Sequence, residues 1–242
     1  MPERAAIVTG GSSGIGFAMA RMLGEEGYGL TVAARRPDKL AEAARELASM
    51  GFEVQHVAGD LAVESVVRRV IDAHRDRYGR LDVLVNNAGV GIGAPVADIK
   101  TKLLDIQLAV NLRSLVLFYR EGIELLRAAA GEHGNAIVIN TSSISGKSGQ
   151  AWLSVYSATK HGVIGFTEAM NKELLAEGIK SCALCPAFVD TPMSDFVKDS
   201  IPAEEMITPQ DIAEGARLLL RVSPACVIPE LVFERRGASA GA

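Results

Sequence analysis

The sequence predicts an α/β fold: a doubly wound, mainly parallel Rossmann-type sheet flanked by helices, in a single domain spanning residues 1–242 with its core at about 5–233. Three observations carry that prediction. Short apolar runs alternate with stretches of helical periodicity along the whole chain, which is the rhythm of βαβ units. The first apolar run passes at once into a glycine-rich turn and then a helical pattern, the context in which such a turn binds phosphate. Further polar and glycine motifs recur where the apolar runs end, and in open α/β sheets ligands bind beyond the carboxyl ends of the strands.

Residues 5–8 form the first strand, followed by Thr9-Gly10-Gly11-Ser12-Ser13-Gly14-Ile15-Gly16 and a helix over about 17–26. Glycines let the backbone turn tightly and approach a pyrophosphate, which then sits at the positive end of the helix. Residues 30–34 form a second strand that ends in Arg35-Arg36-Pro37. An acidic residue at this strand end binds the adenosine ribose of NAD, whereas arginine accommodates the 2′-phosphate of NADP. Ala34 stands at the acidic position, so NADP(H) is preferred and NAD(H) remains possible.

A helix over 38–50 has Leu40, Ala44, Leu47 and Ala48 on its inner face. A third strand follows at 53–57, closed by Gly59-Asp60-Leu61, then a helix over 63–78 and a fourth strand at 81–85 ending in Asn86-Asn87-Ala88-Gly89. A long helical stretch over 97–130 is broken near Asn111 and Arg113, where Asn111 is polar amid leucines and valines. The fifth strand, 136–140, leads to Ser142 and Ser143. The segment from 154 to 177 is helical and carries Tyr156 and Lys160 four residues apart, which stacks a phenol and an ammonium on one face. A nearby cation lowers a phenol's pKa from about 10 toward the working range. The sixth strand is 179–185. Residues 188–207 are irregular and long enough for a lid. Thr208-Pro209-Gln210-Asp211 starts a helix to about 220, with threonine as N-cap and proline at the first position. A last strand over 226–233 precedes a tail, 237–242, expected to fray.

Composition narrows the function. The chain has 242 residues, 48% of them apolar, and a net charge of −4 with no lysine/arginine block. A sizeable core is expected, and neither nucleic acid nor an anionic membrane surface is recruited. The first apolar segment is too short for a signal peptide or a membrane span, so a soluble cytoplasmic protein is expected. Cys182 and Cys185 have redox-motif spacing, but on a strand they point to opposite faces and read as core. The four histidines are scattered without ligand spacing, so no metal is expected.

Taken together, Thr9-Gly10-x-x-x-Gly14-x-Gly16, Asp60, Asn86-Asn87-Ala88-Gly89, Asn111, Ser143, Tyr156-x-x-x-Lys160 and Pro186…Thr191 resemble the short-chain dehydrogenase/reductase superfamily in order and spacing. The resemblance covers residues 5–233 and implies strand order 3-2-1-4-5-6-7 and a nicotinamide cofactor. It implies Tyr156 as general acid/base, Lys160 lowering its pKa and holding the nicotinamide ribose, Ser143 orienting the substrate oxygen, and Asn111 keeping a water in a proton relay. Gly10, Ser12, Ser13, Gly14, Ile15 and Gly16 would line the pyrophosphate, with Arg35 and Arg36 at the 2′-phosphate and Asp60 and Leu61 at the adenine. Asn87, Ala88 and Gly89 would form the adenosine-side floor, and Pro186, Val189 and Thr191 the nicotinamide end.

The chain departs from the pattern at Ala187, where glycine is usual, at Ser13, where NADP-preferring relatives often have a basic residue, and at its end, which lacks Asp-Gly-Gly. Substrate contacts are expected from Ser145, Gln150, Trp152, Phe188, Met193 and Phe196, with Lys147 facing an anion or water. The expected activity is NADPH-linked reduction of a ketone or aldehyde, or the reverse, on an apolar or mid-sized substrate. The alternatives are reduction of a 3-oxoacyl thioester and, further behind, a dinucleotide-binding regulator without turnover. Relatives of this size form homodimers or homotetramers through the helices at 97–130 and 154–177, where Leu115, Leu117, Phe118, Val163 and Phe166 permit contact or pack inward.

Overall fold

A computed structural model describes residues 2–236. Among these, seven strands form one sheet: β1 (Ala5–Thr9), β2 (Gly29–Ala34), β3 (Val54–Ala58), β4 (Val83–Asn86), β5 (Ala136–Thr141), β6 (Ile179–Pro186) and β7 (Glu230–Phe233). They lie in the order β3-β2-β1-β4-β5-β6-β7, and every neighbouring pair is parallel. A parallel sheet must be covered on both faces, which is why its strands read as near-continuous apolar runs. One face packs on α1 (Gly14–Glu25), α2 (Pro37–Ser49) and α7 (Pro209–Arg221), with Val32, Val85 and Leu184 in that core. The other packs on α3 (Glu64–Tyr78), α5 (Ser114–His133) and α6 (Ser154–Leu174), with Ile7, Leu84 and Val138 facing it.

The helix starts follow local chemistry. Thr208 accepts from the Asp211 backbone N–H at 3.2 Å while the Asp211 carboxylate accepts from the Thr208 N–H at 2.9 Å, a reciprocal cap with Pro209 at the first position. The break expected near Asn111 is a wide π turn, Ala109–Arg113, joining α4 (Thr101–Leu108) to α5. Such bulges often mark functional positions.

Several expectations need correction. The first helix begins at Gly14, three residues earlier than its apolar pattern, and the chain enters it through a positive φ of +54° at that glycine. The last strand begins only at Glu230: Pro229 lacks an N–H, and the Lys180 ammonium binds the Ser223 and Cys226 carbonyls at 3.2 and 3.1 Å instead. The 188–207 segment is not structureless. It holds short 3-10 turns at Pro192–Val197 and Ala203–Glu205 and is bracketed by a parallel bridge between Val189 and Ile207. Lys198 ties it down by pairing with Asp190 at 2.9 Å and Asp195 at 2.8 Å.

Cys182 and Cys185 are free and buried, and burial pushes their thiols to about 12 and about 11, as packing residues require. Leu115, Leu117, Phe118 and Val163 lie in the core and Phe166 packs against it, so the inward alternative holds for all five. Among the described residues no helix is long and apolar enough to cross a membrane, and no cluster of His, Cys, Asp and Glu could hold a metal. The tail, 237–242, lies outside the described residues.

Candidate active site

The carboxyl ends of β4, β5 and β6 meet the first turns of α6. Tyr156 and Lys160 lie one turn apart on α6, with the Lys160 Nζ 5.5 Å from the centre of the phenol ring. Lys160 is buried, and its Nζ donates to the Thr141 carbonyl at the end of β5, 2.7 Å away. Ser143 follows β5 in extended backbone and caps a 3-10 turn, Ile144–Gly146, its Oγ accepting from the Ser145 N–H at 3.1 Å. The Ser143 hydroxyl also reaches the Pro186 carbonyl at 3.4 Å, a long contact that leaves it free to turn toward another acceptor.

Asn111 reaches in from the π turn. Its Oδ1 accepts from the Val90 N–H at 2.8 Å, and its Nδ2 donates to the Val90 carbonyl at 2.9 Å and to the Thr159 hydroxyl at 3.1 Å. It therefore pins the loop after β4 to α6. A Cβ on Gly89 would lie 3.5 Å from the Asn111 Oδ1 and 3.7 Å from the Lys160 Nζ, so all three border one small space.

The electrostatics correct one expectation. Burial pushes the Tyr156 phenol above its ordinary 10, and only the neighbouring Ser143 hydroxyl pulls it back. Burial also depresses Lys160 from 10.5 to about 8. Lys160 still keeps most of its charge at neutral pH, but 5.5 Å from the ring centre it does not outweigh the desolvation of the phenol. The arrangement holds a protonated phenol at neutral pH.

A second group of residues forms a cradle at the ends of β1, β2 and β3. The Thr9 hydroxyl organises it, donating to the Val85 carbonyl at 3.1 Å and accepting from the Asn87 and Ala88 N–H groups at 2.9 and 3.0 Å. The Asn87 Nδ2 donates to the Thr9 carbonyl, and its Oδ1 accepts from the Thr141 hydroxyl at 3.2 Å. Gly10 and Gly14 adopt φ of +68° and +54°, which favours glycine. At Gly16 a Cβ would lie 2.3 Å from the Gly10 carbonyl oxygen. Ser13 is the N-cap of α1 but its side chain makes no cap hydrogen bond, so the first N–H groups of the helix, at Gly14, Ile15 and Gly16, remain open to an anion. Ser12 is half-buried in the same turn. The methyl of Thr191 closes over Gly14, 2.9 Å from where a Cβ would be.

Arg35 and Arg36 are exposed where β2 gives way to α2, and among the described residues neither guanidinium has a hydrogen-bond or ion-pair partner. Most other arginines are engaged, many of them with carboxylates. Asp60 is exposed and its Oδ1 accepts from the Ala62 N–H at 3.1 Å, while Leu61 is buried beneath it. Pro186 ends β6 and Val189 is buried in the bridge to Ile207. Ala187, standing where glycine was expected, has no positive φ and donates to the Phe233 carbonyl at 2.8 Å, so the extra methyl introduces no backbone strain. These features fit a dinucleotide: open helix N–H groups for a pyrophosphate, two unengaged cations for a further phosphate, and a glycine floor between Asn111 and Lys160.

The substrate residues divide. Trp152, Phe196 and Phe188 form a line of aromatic rings, with centres 6.1 and 6.4 Å apart, and Trp152 and Phe196 are exposed. Gly91 lies between the Tyr156 ring and the Met193 sulfur, at 3.8 and 4.0 Å from its Cβ position. Trp152 has a φ of 68°, the one positive value outside glycine among the described residues, held by the Ala94 N–H donating to its carbonyl at 2.8 Å. Its indole lies directly on Gly93, where any side chain would collide with it. Ser145 is buried and serves the turn through its backbone. The Gln150 side chain folds back to the Ser148 carbonyl, and the half-exposed Lys147 pairs with the Glu230 carboxylate at 3.0 Å. Sequence reasoning gave no role to Thr9, Thr141, Gly93 or Gln107. The available signal for Gln107 was a polar residue among Leu103, Leu104, Ile106 and Leu108 on a helix.

Comparison with known proteins agrees with this geometry. The short chain dehydrogenase family profile matches residues 4–201. A candidate ketoacyl reductase of the granaticin polyketide synthase from Streptomyces violaceoruber is 40% identical over 195 residues, covering 80% of this chain and 71% of that one. A tryptophan variant of actinorhodin polyketide ketoreductase, solved with NADPH, is 31% identical with a TM-score of 0.87 over 95% of both chains. A 3-ketoacyl-(acyl-carrier-protein) reductase from Brucella melitensis, solved with NADH, is 27% identical with a TM-score of 0.87 over 96% of each chain. With its glycine turn, Asn-Asn-Ala-Gly loop and Tyr-x-x-x-Lys helix all at one rim of the sheet, this chain belongs to the short-chain dehydrogenase family.

Proposed function

We propose that the protein is an NADPH-linked reductase that converts a ketone or aldehyde to an alcohol on a substrate with an apolar body. The observation that carries this reading is the Tyr156 phenol placed beside Ser143 and Lys160, on the same rim as the dinucleotide cradle. When bound, the cofactor supplies the hydride. The chain's own residues do the rest. Tyr156 delivers its proton to the substrate oxygen as charge develops there, and Ser143 donates a hydrogen bond that holds that oxygen in line. Lys160 and Asn111 flank the path by which the phenolate regains a proton, and the aromatic line from Trp152 to Phe188 holds the apolar body away from water. Arg35 and Arg36 favour the cofactor with the extra phosphate, in keeping with relatives solved with NADPH or NADP.

A 3-oxoacyl thioester is the alternative substrate class, supported by the names of the ketoacyl reductases that the chain resembles. The cytoplasm is the compartment that fits this reading, with a reducing environment suited to three free cysteines. The outer faces of α5 and α6, with Val116 exposed on α5, Leu108 exposed at the end of α4 and Leu175 exposed just beyond α6, fit assembly into a homodimer or homotetramer. Sedimentation giving a stable monomer at micromolar concentration rules the assembly out. The function is tested by following NADPH oxidation with a panel of ketones, aldehydes and one 3-oxoacyl thioester. Turnover of simple ketones supports the first reading, and turnover of the thioester alone moves the alternative ahead. Tight NADPH binding with no turnover overturns both in favour of a regulator.

A further inference from the structure

Next to the catalytic helix lies a recess that the reading above leaves without a role. It opens under the loop between β4 and α4, against the start of α6 at Ser154 and Val155, with Trp152 forming one wall. It is small and open at its mouth, with a volume of about 20 Å³, room for a group about the size of a water molecule or two. Apolar side chains make most of the lining, and the polar side chains on it are Gln107, Lys100 and Ser154.

Gln107 is the informative one. It is 2% exposed, between Ile106 and Leu108 on α4, and its Oε1 accepts from the Ile92 backbone N–H at 3.2 Å. A backbone N–H can only donate, so the amide must present its oxygen there and its nitrogen elsewhere. The Nε2 has no partner among the described residues, and it is not among the polar atoms sealed from the outside. The nitrogen therefore has a donor free for water or for a bound acceptor. Lys100, on the rim, has no ion-pair partner among the described residues, and the Ser154 hydroxyl has no hydrogen-bond partner there either. The recess thus offers an amide N–H₂, an ammonium and a hydroxyl, with no carboxylate among its lining residues. That is a donor set for an acceptor-rich anion.

We propose that this recess is a subsite for a carboxylate carried by the carbonyl substrate, held by the Gln107 Nε2 and the Lys100 ammonium. The physiological substrate is then an oxo acid, its ketone at Tyr156 and its acid end under the β4–α4 loop. This rests on the reductase reading of the neighbouring site, and the experiment separates the two. Trp152 is the single tryptophan of the chain and lines the recess, so its fluorescence reports occupancy without turnover.

Levulinate, a longer oxo acid and their methyl esters are titrated against the NADP-loaded protein while Trp152 emission is read. The same acid and ester pairs are compared by kcat/KM with NADPH. Wild type should prefer an acid to its ester by about tenfold or more in both readouts. Gln107→Glu keeps the oxygen that Ile92 needs and replaces the donor with a negative charge. It should abolish the acid preference while melting temperature and NADPH binding show the protein intact. Lys100→Gln should reduce the preference without reversing it. Equal binding of acid and ester by wild type, or an acid preference that survives Gln107→Glu, overturns the proposal. If Trp152 senses the acids but no carbonyl is reduced, the subsite stands and the reductase reading falls.

Discussion

At the amino-terminal rim of the sheet a buried charge is matched, and at the carboxyl rim one is not. Asp82 is 4% exposed, accepts from the Ala5 N–H at 2.8 Å and from Arg80 at 2.8 Å through each carboxylate oxygen, and faces the His133 ring at 2.9 Å. Glu132 completes the cluster by pairing with Arg80 at 2.7 Å. Lys160 is equally buried, yet its only hydrogen-bond acceptor among the described residues is the Thr141 carbonyl, and no carboxylate pairs with it. Both rims are made by the same strands. The difference is that one rim holds the fold together and the other keeps its polar groups available, and local rules are broken where function needs them broken.

The largest effect expected from breaking this contrast is at Tyr156. Tyr156→Phe removes the proton donor and little volume, so kcat with NADPH and a ketone should fall about 10²–10⁴-fold. A variant retaining more than a tenth of wild-type kcat would show that another group delivers the proton. On the opposite rim, Asp82→Asn leaves the Arg80 guanidinium partly buried with one exposed partner. It should cost about 3 kcal/mol of stability, read by denaturant unfolding, with turnover per folded molecule unchanged. A loss below 0.5 kcal/mol on the order of a surface substitution would mean that the cluster is ornamental.

Lys160 should behave in the opposite sense. Its value in the fold, about 8, lies below its ordinary 10.5, so the folded state resists the charge. Below pH 8 that penalty is fully present. Between the two values the unfolded chain holds a proton that the folded chain lacks, so this group makes stability rise with pH across that window. Lys160→Met should therefore stabilise the protein at pH 7 by up to about 3 kcal/mol, less about 1 kcal/mol for the donor lost at Thr141, while abolishing turnover. The gain in Tm should shrink as pH rises from 8 toward 10.5. A variant that is less stable at pH 7, with no change in that difference across the window, contradicts the account.

How much of this was legible in the sequence follows from what each feature depends on. The strands were readable because a parallel sheet buries both faces, and runs such as Ala136 to Ile139 then carry no polar residue. The glycine turn was readable because its positive φ values at Gly10 and Gly14 restrict residue type. Tyr156 and Lys160 were readable as a helical pair, but the direction of the Tyr156 shift was not, because desolvation depends on what packs around the ring. Trp152 could be marked as an aromatic near the site, whereas its left-handed backbone depends on Gly93 and Ala94, distant in sequence. The five apolar residues on α5 and α6 could not be divided between core and surface by periodicity alone, and packing decided all of them inward.

A parallel titration of NADPH and NADH against wild type and Arg35→Ala, with Arg36→Ala as companion, decides whether the rim is an NADPH site. Arg35 and Arg36 are exposed and unengaged, so their removal should leave the fold intact. Wild type should bind NADPH about tenfold or more tightly than NADH, and Arg35→Ala should lose that advantage by weakening NADPH alone. Equal affinity of wild type for both cofactors would contradict the NADPH assignment and leave Arg35 a surface residue. Failure to bind either would contradict the dinucleotide cradle itself.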